Sequence, residues 1–125
     1  IGIILLVLLF SCSSKTVERT YYNNGKKKYR IEKKNNKNEG ITMNWDIYGN
    51  LINKVEYLNN KLHGKWIEYY PSGKIECITD YEFDLKHGSE ICFYENGNKK
   101  FERKYKENMP ASEITRWKNN GDLIK

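Results

Sequence analysis

Two histidines, three cysteines and a set of carboxylates are the residues through which this 125-residue chain could do chemistry. His63 and His87 stand 24 positions apart, each just ahead of a glycine. If they occupy equivalent places on successive pairs of strands they lie about 10 Å apart. One metal ion cannot bridge that gap at a His–metal distance of about 2 Å, so both read as structural. Glu68, Glu76, Asp80, Glu82 and Asp84 are interleaved with apolar residues, the pattern of a solvated strand face. Acid–base catalysis needs two carboxyls converging in environments that push their pKa values apart, and nothing in the sequence marks such a pair. There is no Ser-His-Asp spacing, phosphate-binding loop or metal-ligand cluster. The expectation is a non-catalytic chain that needs no cofactor or metal. Cys77 and Cys92 could pair in an oxidising compartment, and whether they meet depends on the elements that carry them.

Those elements are repeats. Gly25, Gly49, Gly73, Gly97 and Gly121 recur every 24 residues, and Gly40, Gly64 and Gly88 form a second ladder of the same period, with Ser112 next. Units can be drawn at 16–39, 40–63, 64–87, 88–111 and 112–125. Each then has an aromatic at its sixth position: Tyr21, Trp45, Tyr69, Phe93 and Trp117. With 14% aromatic residues and few Leu, Ile and Val after the first ten positions, a thick two-layer core is excluded and a thin all-β architecture expected. The first glycine ladder sits in turn sequences such as Ser72-Gly73 and Asn96-Gly97, which mark β-hairpins. A three-residue loop, for example Pro71-Ser72-Gly73, would be a type I turn closed by a left-handed glycine.

Apolar residues favour even unit positions on both sides of the turn. Even-to-even pairing would therefore put Trp45, Tyr69 and Phe93 with Val55, Tyr57 and Tyr81 on one packed face. The five sixth-position aromatics are then the expected structural core. Cys77 at an even position and Cys92 at an odd one would face opposite sides, which argues against a disulfide. Odd positions would form the wetter face, on which Trp66, Tyr70, Tyr94 and Tyr22 recur. These four are candidate partner-binding residues; the alternative is that they only brace neighbouring strands.

The stretch Gly64-Lys65-Trp66-Ile67-Glu68-Tyr69-Tyr70-Pro71-Ser72-Gly73-Lys74, followed by Tyr81 and Lys86-His87-Gly88, resembles the MORN-repeat variant family, specifically the bacterial YwqK-type antitoxin proteins. Units two to four carry the pattern well, the first and fifth only in part, as end caps do. The resemblance implies an elongated single-layer antiparallel sheet of stacked β-hairpins over 16–125 that binds a partner protein and has no catalysis of its own.

The first ten residues, Ile1 to Phe10, are uncharged and almost wholly apolar. Ten residues are half the length of a transmembrane helix but enough for a signal-peptide core. Leu9-Phe10-Ser11-Cys12 resembles a bacterial lipobox, so 1–11 is expected to be a signal peptide, Cys12 the lipidated residue and 12–15 a linker. The implied location is the bacterial cell envelope, at the outer membrane where the cell has one. Charge follows the same geography. Of the net +6, all belongs to residues 12–40, which hold nine Lys/Arg against three Glu, whereas 41–125 holds 13 of each sign. The cluster from Lys26 to Lys37 either meets anionic headgroups, at about 1 kcal/mol per basic residue, or is a solvated Lys/Asn-rich strand. A nucleic-acid partner is not expected, because the positive charge does not interleave with stacking groups over one concave or helical surface. Two function classes remain: an antitoxin- or immunity-like lipoprotein that binds a partner protein, and a structural or adhesion lipoprotein of the envelope without a toxin partner.

Overall fold

The structure, a computed structural model, describes residues 13–125. The expected signal segment 1–11 and Cys12 lie outside the described residues. The chain forms one open antiparallel sheet of hairpins added in sequence order: β1 (Lys15–Tyr21), β2 (Lys27–Lys34), β3 (Lys37–Trp45), β4 (Leu51–Leu58), β5 (Lys61–Tyr69), β6 (Ile75–Glu82), β7 (Leu85–Phe93) and β8 (Lys99–Lys106). Beyond β8 come β9 (Met109–Pro110), which pairs with β8, then β10 (Thr115–Trp117) and β11 (Leu123–Ile124), which continue the sheet. This is the all-β, single-layer architecture that the 24-residue period predicts.

Two kinds of turn alternate. Within each unit the loop has three residues. The Gly73 amide donates to the Tyr70 carbonyl at 2.8 Å, the Tyr70 amide to the Lys74 carbonyl at 2.9 Å, and Gly73 takes φ +83°. Gly25, Gly49, Gly97 and Gly121 do the same in their units. Between units the turns have two residues, Asn35-Asn36, Asn59-Asn60, Phe83-Asp84 and Glu107-Asn108, all eight with positive φ. That is the type I′ form whose twist matches paired strands. Phe83 is a poor residue for it, and its ring lies 4.5 Å from that of His63, a contact that offsets part of the backbone cost. Successive inter-unit turns are tied together: the side-chain oxygens of Asn60, Asp84 and Asn108 accept from the amides of Asn38, Leu62 and Lys86 at 2.7–2.8 Å.

The expected even-to-even pairing is overturned one residue past the three-residue loop. Tyr69 lies opposite Ile75, but Glu68 lies opposite Cys77, with Glu76 as the extra residue of a bulge. Lys28, Ile52 and Lys100 are extra at the same place in their units. Each bulge inverts the alternation, because side chains have a period of two along a strand. Even positions after the turn therefore share a face with odd positions before it. One face carries the row Ile31, Thr42, Val55, Trp66, Thr79 and Glu90 across consecutive strands. The other carries Arg30, Met43, Lys54, Ile67, Ile78 and Ile91.

Two further expectations fall with the parity. Cys77 and Cys92 are directly opposite each other on the Trp66 face and form a disulfide, with Cα atoms 4.1 Å apart. The face expected to be wetter is instead the drier: Val55 and Cys92, each 3% exposed, and Thr42 and Thr79 are its buried residues. The described residues form one layer, so this burial comes from neighbours within the same sheet. The sixth-position aromatics lie on the Ile67 face, where Trp45, Tyr69, Phe93 and Trp117 are half-buried and Tyr21 is exposed.

Candidate partner-binding face

Three features recur along the units, and units three and four have all of them. First, a wide bulge in the leading strand is set by a glycine with strongly positive φ: +109° at Gly40, +114° at Gly64 and +115° at Gly88. The freed amide after it is taken up by a carboxylate on the preceding strand. Glu32 accepts from Ile41 at 2.9 Å, Glu56 from Lys65 at 3.2 Å and Asp80 from Ser89 at 2.9 Å. A Cβ on Gly88 would stand 2.9 Å from both Cβ and Oδ2 of Asp80, so the glycine is needed for space as well as for φ. The acids recur every 24 residues at 32, 56 and 80, a signal available in the sequence but hidden among the other charged residues. In the last unit Ser112 replaces the glycine, and its hydroxyl accepts from the Lys104 amide at 3.0 Å.

The Ile41 amide, with Arg30 beside it, holds the Glu32 carboxyl below its ordinary range against the effect of burial. For Asp80, burial pushes the other way, but the Lys65 ammonium at 2.8 Å and the Ser89 amide outweigh it and lower the pKa.

Second, a tyrosine lies opposite each of these glycines: Tyr57 opposite Gly40, Tyr81 opposite Gly64, Tyr105 opposite Gly88. Each ring thus stands across from a bare backbone, while the space a Cβ would take at the glycine is held by the carboxylate. These rings reach residues on the same face. Tyr81 lies 5.9 Å from the Trp66 ring, and the Tyr105 hydroxyl donates to Glu90 Oε2 at 3.0 Å. Glu90 also holds Lys86 at 2.5 Å, which raises the Lys86 pKa despite burial. In unit one the equivalent pair is the ion pair of Lys33 with Glu18. Burial raises the pKa of Tyr57 and of Tyr81.

Third, in units one, three and four the residue before the three-residue loop pins its neighbour. The hydroxyls of Tyr22, Tyr70 and Tyr94 donate to the carbonyls of Trp45, Phe93 and Trp117 at 2.8, 2.8 and 2.9 Å. In unit two Asp46 takes this place and caps its own loop, accepting from the amides of Tyr48 and Asn50. Alternation past the strand ends puts Tyr22, Tyr70 and Tyr94 on the Trp66 face. The structure thus gathers the four candidate residues on one side of the sheet. Three spend their hydroxyls on neighbouring units and offer only ring surface outward. Trp66 is half-buried, and its Nε1 has no hydrogen-bond partner among the described residues. Beside it, Glu68 is exposed, yet partial withdrawal of water by its neighbours, with repulsion from Glu76 and Glu90, raises its pKa.

On the opposite face two of the sixth-position aromatics lie under lysines of the adjoining unit, with Lys27 Nζ 5.5 Å from the Trp45 ring and Lys99 Nζ 5.2 Å from that of Trp117. His63 stacks on Phe83, and His87 Nδ1 lies 3.7 Å from Glu82. Among the described residues no group of three or more His, Cys, Asp or Glu is placed to hold a metal ion.

The MORN repeat variant matches the chain twice, over residues 62–82 and 86–107. The two matched stretches start 24 residues apart, the period of the structural units, so the chain carries MORN-variant repeats there. Comparison with curated proteins finds no match.

Proposed function

We propose that this chain is a non-catalytic repeat module that binds a partner protein through its Trp66 face, as an antitoxin or immunity protein binds a toxin or effector. The observation that carries the reading is a sheet face, left uncovered by the described residues, on which Trp66, Tyr70, Tyr94 and Tyr22 stand with their polar atoms turned inward or already bonded. Ring surface held in place by inter-unit hydrogen bonds gives large contact area at small entropic cost, which is what interface anchors need. The disulfide between Cys77 and Cys92 supports an oxidising location. That fits a lipid anchor at Cys12 in the bacterial envelope.

Affinity capture from the native host, followed by reconstitution with the purified captured protein, tests the binding role. A toxin or effector that binds the chain one-to-one supports the reading. Failure of any purified protein to bind directly would overturn it in favour of an envelope structural role. Fractionation of wild type and Cys12→Ala tests the anchor: membrane association lost in the variant supports it, and equal soluble release of both contradicts it.

A further inference from the structure

On the Ile67 face, the central row is apolar across unit three and into the first strand of unit four, with Ile67, Ile78 and Ile91 directly opposite one another, and Glu102 follows Ile91. At the same unit positions, unit one has Arg19 directly opposite Arg30. Like charges directly opposite on paired strands destabilise a sheet, so unit one accepts a cost that units three and four avoid. Lys27 lies opposite Tyr21 in the next row. Together Arg19, Tyr21, Lys27, Tyr29 and Arg30 line a cleft of about 180 Å³ with no carboxylate in its lining. The other clefts described all include acids: Glu32 and Glu39, Glu102 and Glu113, or Glu82 and Glu107.

We infer that this cleft is an oxoanion site that takes a phosphate ester, and the inference stands independently of the partner-binding face. Arg30 is oriented from outside the cleft. Its Nη1 meets Glu32 Oε1 at 2.8 Å, while Glu32 Oε2 is fixed by the Ile41 amide. Its remaining guanidinium donors are left for a ligand. Arg19 is exposed and has no ion pair among the described residues. A tetrahedral anion between the two guanidiniums removes their repulsion and accepts charge-assisted bonds from both. Lys27 and Tyr21, directly opposite each other on the same face, add donors. The ester is either soluble or part of a lipid headgroup, and the two sources share this chemistry.

The test uses the full chain at low salt. Inorganic phosphate is titrated while the Tyr21 ring signals and the arginine side-chain signals are followed by nuclear magnetic resonance. Wild type should show a saturable shift at these residues. Arg19→Gln, on an exposed edge strand where folding is spared, should bind at least about tenfold more weakly, and Arg19→Lys should fall between. Circular dichroism confirms that the variants fold. Sedimentation with phosphatidylglycerol and phosphatidylcholine vesicles separates the sources. A phosphatidylglycerol preference that falls in Arg19→Gln assigns the ester to lipid; a preference unchanged in Arg19→Gln, with the phosphate shift intact in wild type, assigns a soluble ester. No saturable shift in wild type, or equal phosphate binding by folded Arg19→Gln, overturns the proposal.

Discussion

Gly88→Ala should be among the most damaging single-methyl additions the sheet can suffer, because two costs coincide at that position. The φ of +115° lies beyond the left-handed region that L-residues visit, a strain of about 1–3 kcal/mol. The added Cβ would also stand 2.9 Å from Asp80 Cβ. That contact involves the root of the side chain rather than a flexible tip, so Asp80 has to move. Its hydrogen bond to the Ser89 amide is then lost, at about 1.5–3 kcal/mol for a bond to a charged group. Together they amount to about 3–5 kcal/mol. Gly97→Ala is the control: its φ is +90°, and nothing lies within 4 Å of the added atom, so strain alone of about 1–2 kcal/mol applies.

Urea unfolding followed by tryptophan fluorescence checks this. With a slope of about 1.5 kcal/mol per molar urea, the midpoint should fall by about 2–3 M for Gly88→Ala and about 1 M for Gly97→Ala. Adding Asp80→Ala to Gly88→Ala should cost less than the two separate losses combined, by about 1–2 kcal/mol, since the clash is already relieved. Equal midpoints for Gly88→Ala and Gly97→Ala would refute the role given to the carboxylate.

Three further outcomes follow from the geometry. The disulfide closes a loop of sequence separation 15, so reduction, or Cys77→Ser with Cys92→Ser, should cost about 3 kcal/mol; unfolding midpoints with and without reductant measure it. Glu32 and Asp80 have lowered pKa values in the fold, so their contribution is present above the unfolded carboxylate pKa and is lost as pH falls through the folded one. The urea midpoint should drop from about pH 6 to about pH 3, a range that brackets the ordinary carboxylate values, and Glu32→Gln with Asp80→Asn should flatten that drop. Tyr70→Phe removes only the hydroxyl that reaches Phe93 and should cost about 1 kcal/mol, read from the same midpoints.

The 24-residue period made the hairpin order legible, and the glycine positions marked the three-residue loops. Gly73 with Tyr70 and Lys74 forms the expected turn. What the sequence hid was a single extra residue per unit. Glu76 and its equivalents Lys28, Ile52 and Lys100 have no type common to all four, because a bulged position is defined by backbone count and makes no demand on side-chain chemistry. Missing it inverted the second strand of each unit, which misplaced Val55 and Tyr81 and separated Cys77 from Cys92. The inter-unit type I′ turns were equally quiet: Phe83-Asp84 carries none of the usual Asn-Gly signal and depends on the His63 ring for support. The four candidate binding residues did share a face, since Trp66, Tyr70, Tyr94 and Tyr22 all precede the bulges. That three of them also pin the next unit is a tertiary relation across 23 residues, which no local pattern discloses.

The most direct test of the partner-binding face compares two tryptophans on opposite sides of the same sheet. Once the captured protein is purified, its affinity is measured by calorimetry for wild type, Trp66→Ser and Trp45→Ser, each first shown to be folded by circular dichroism. Binding through the Trp66 face predicts a loss of about 2 kcal/mol or more for Trp66→Ser, roughly 30-fold in Kd, with Trp45→Ser close to wild type. Wild-type affinity in folded Trp66→Ser, with a loss in Trp45→Ser, would place the interface on the other face and contradict the account.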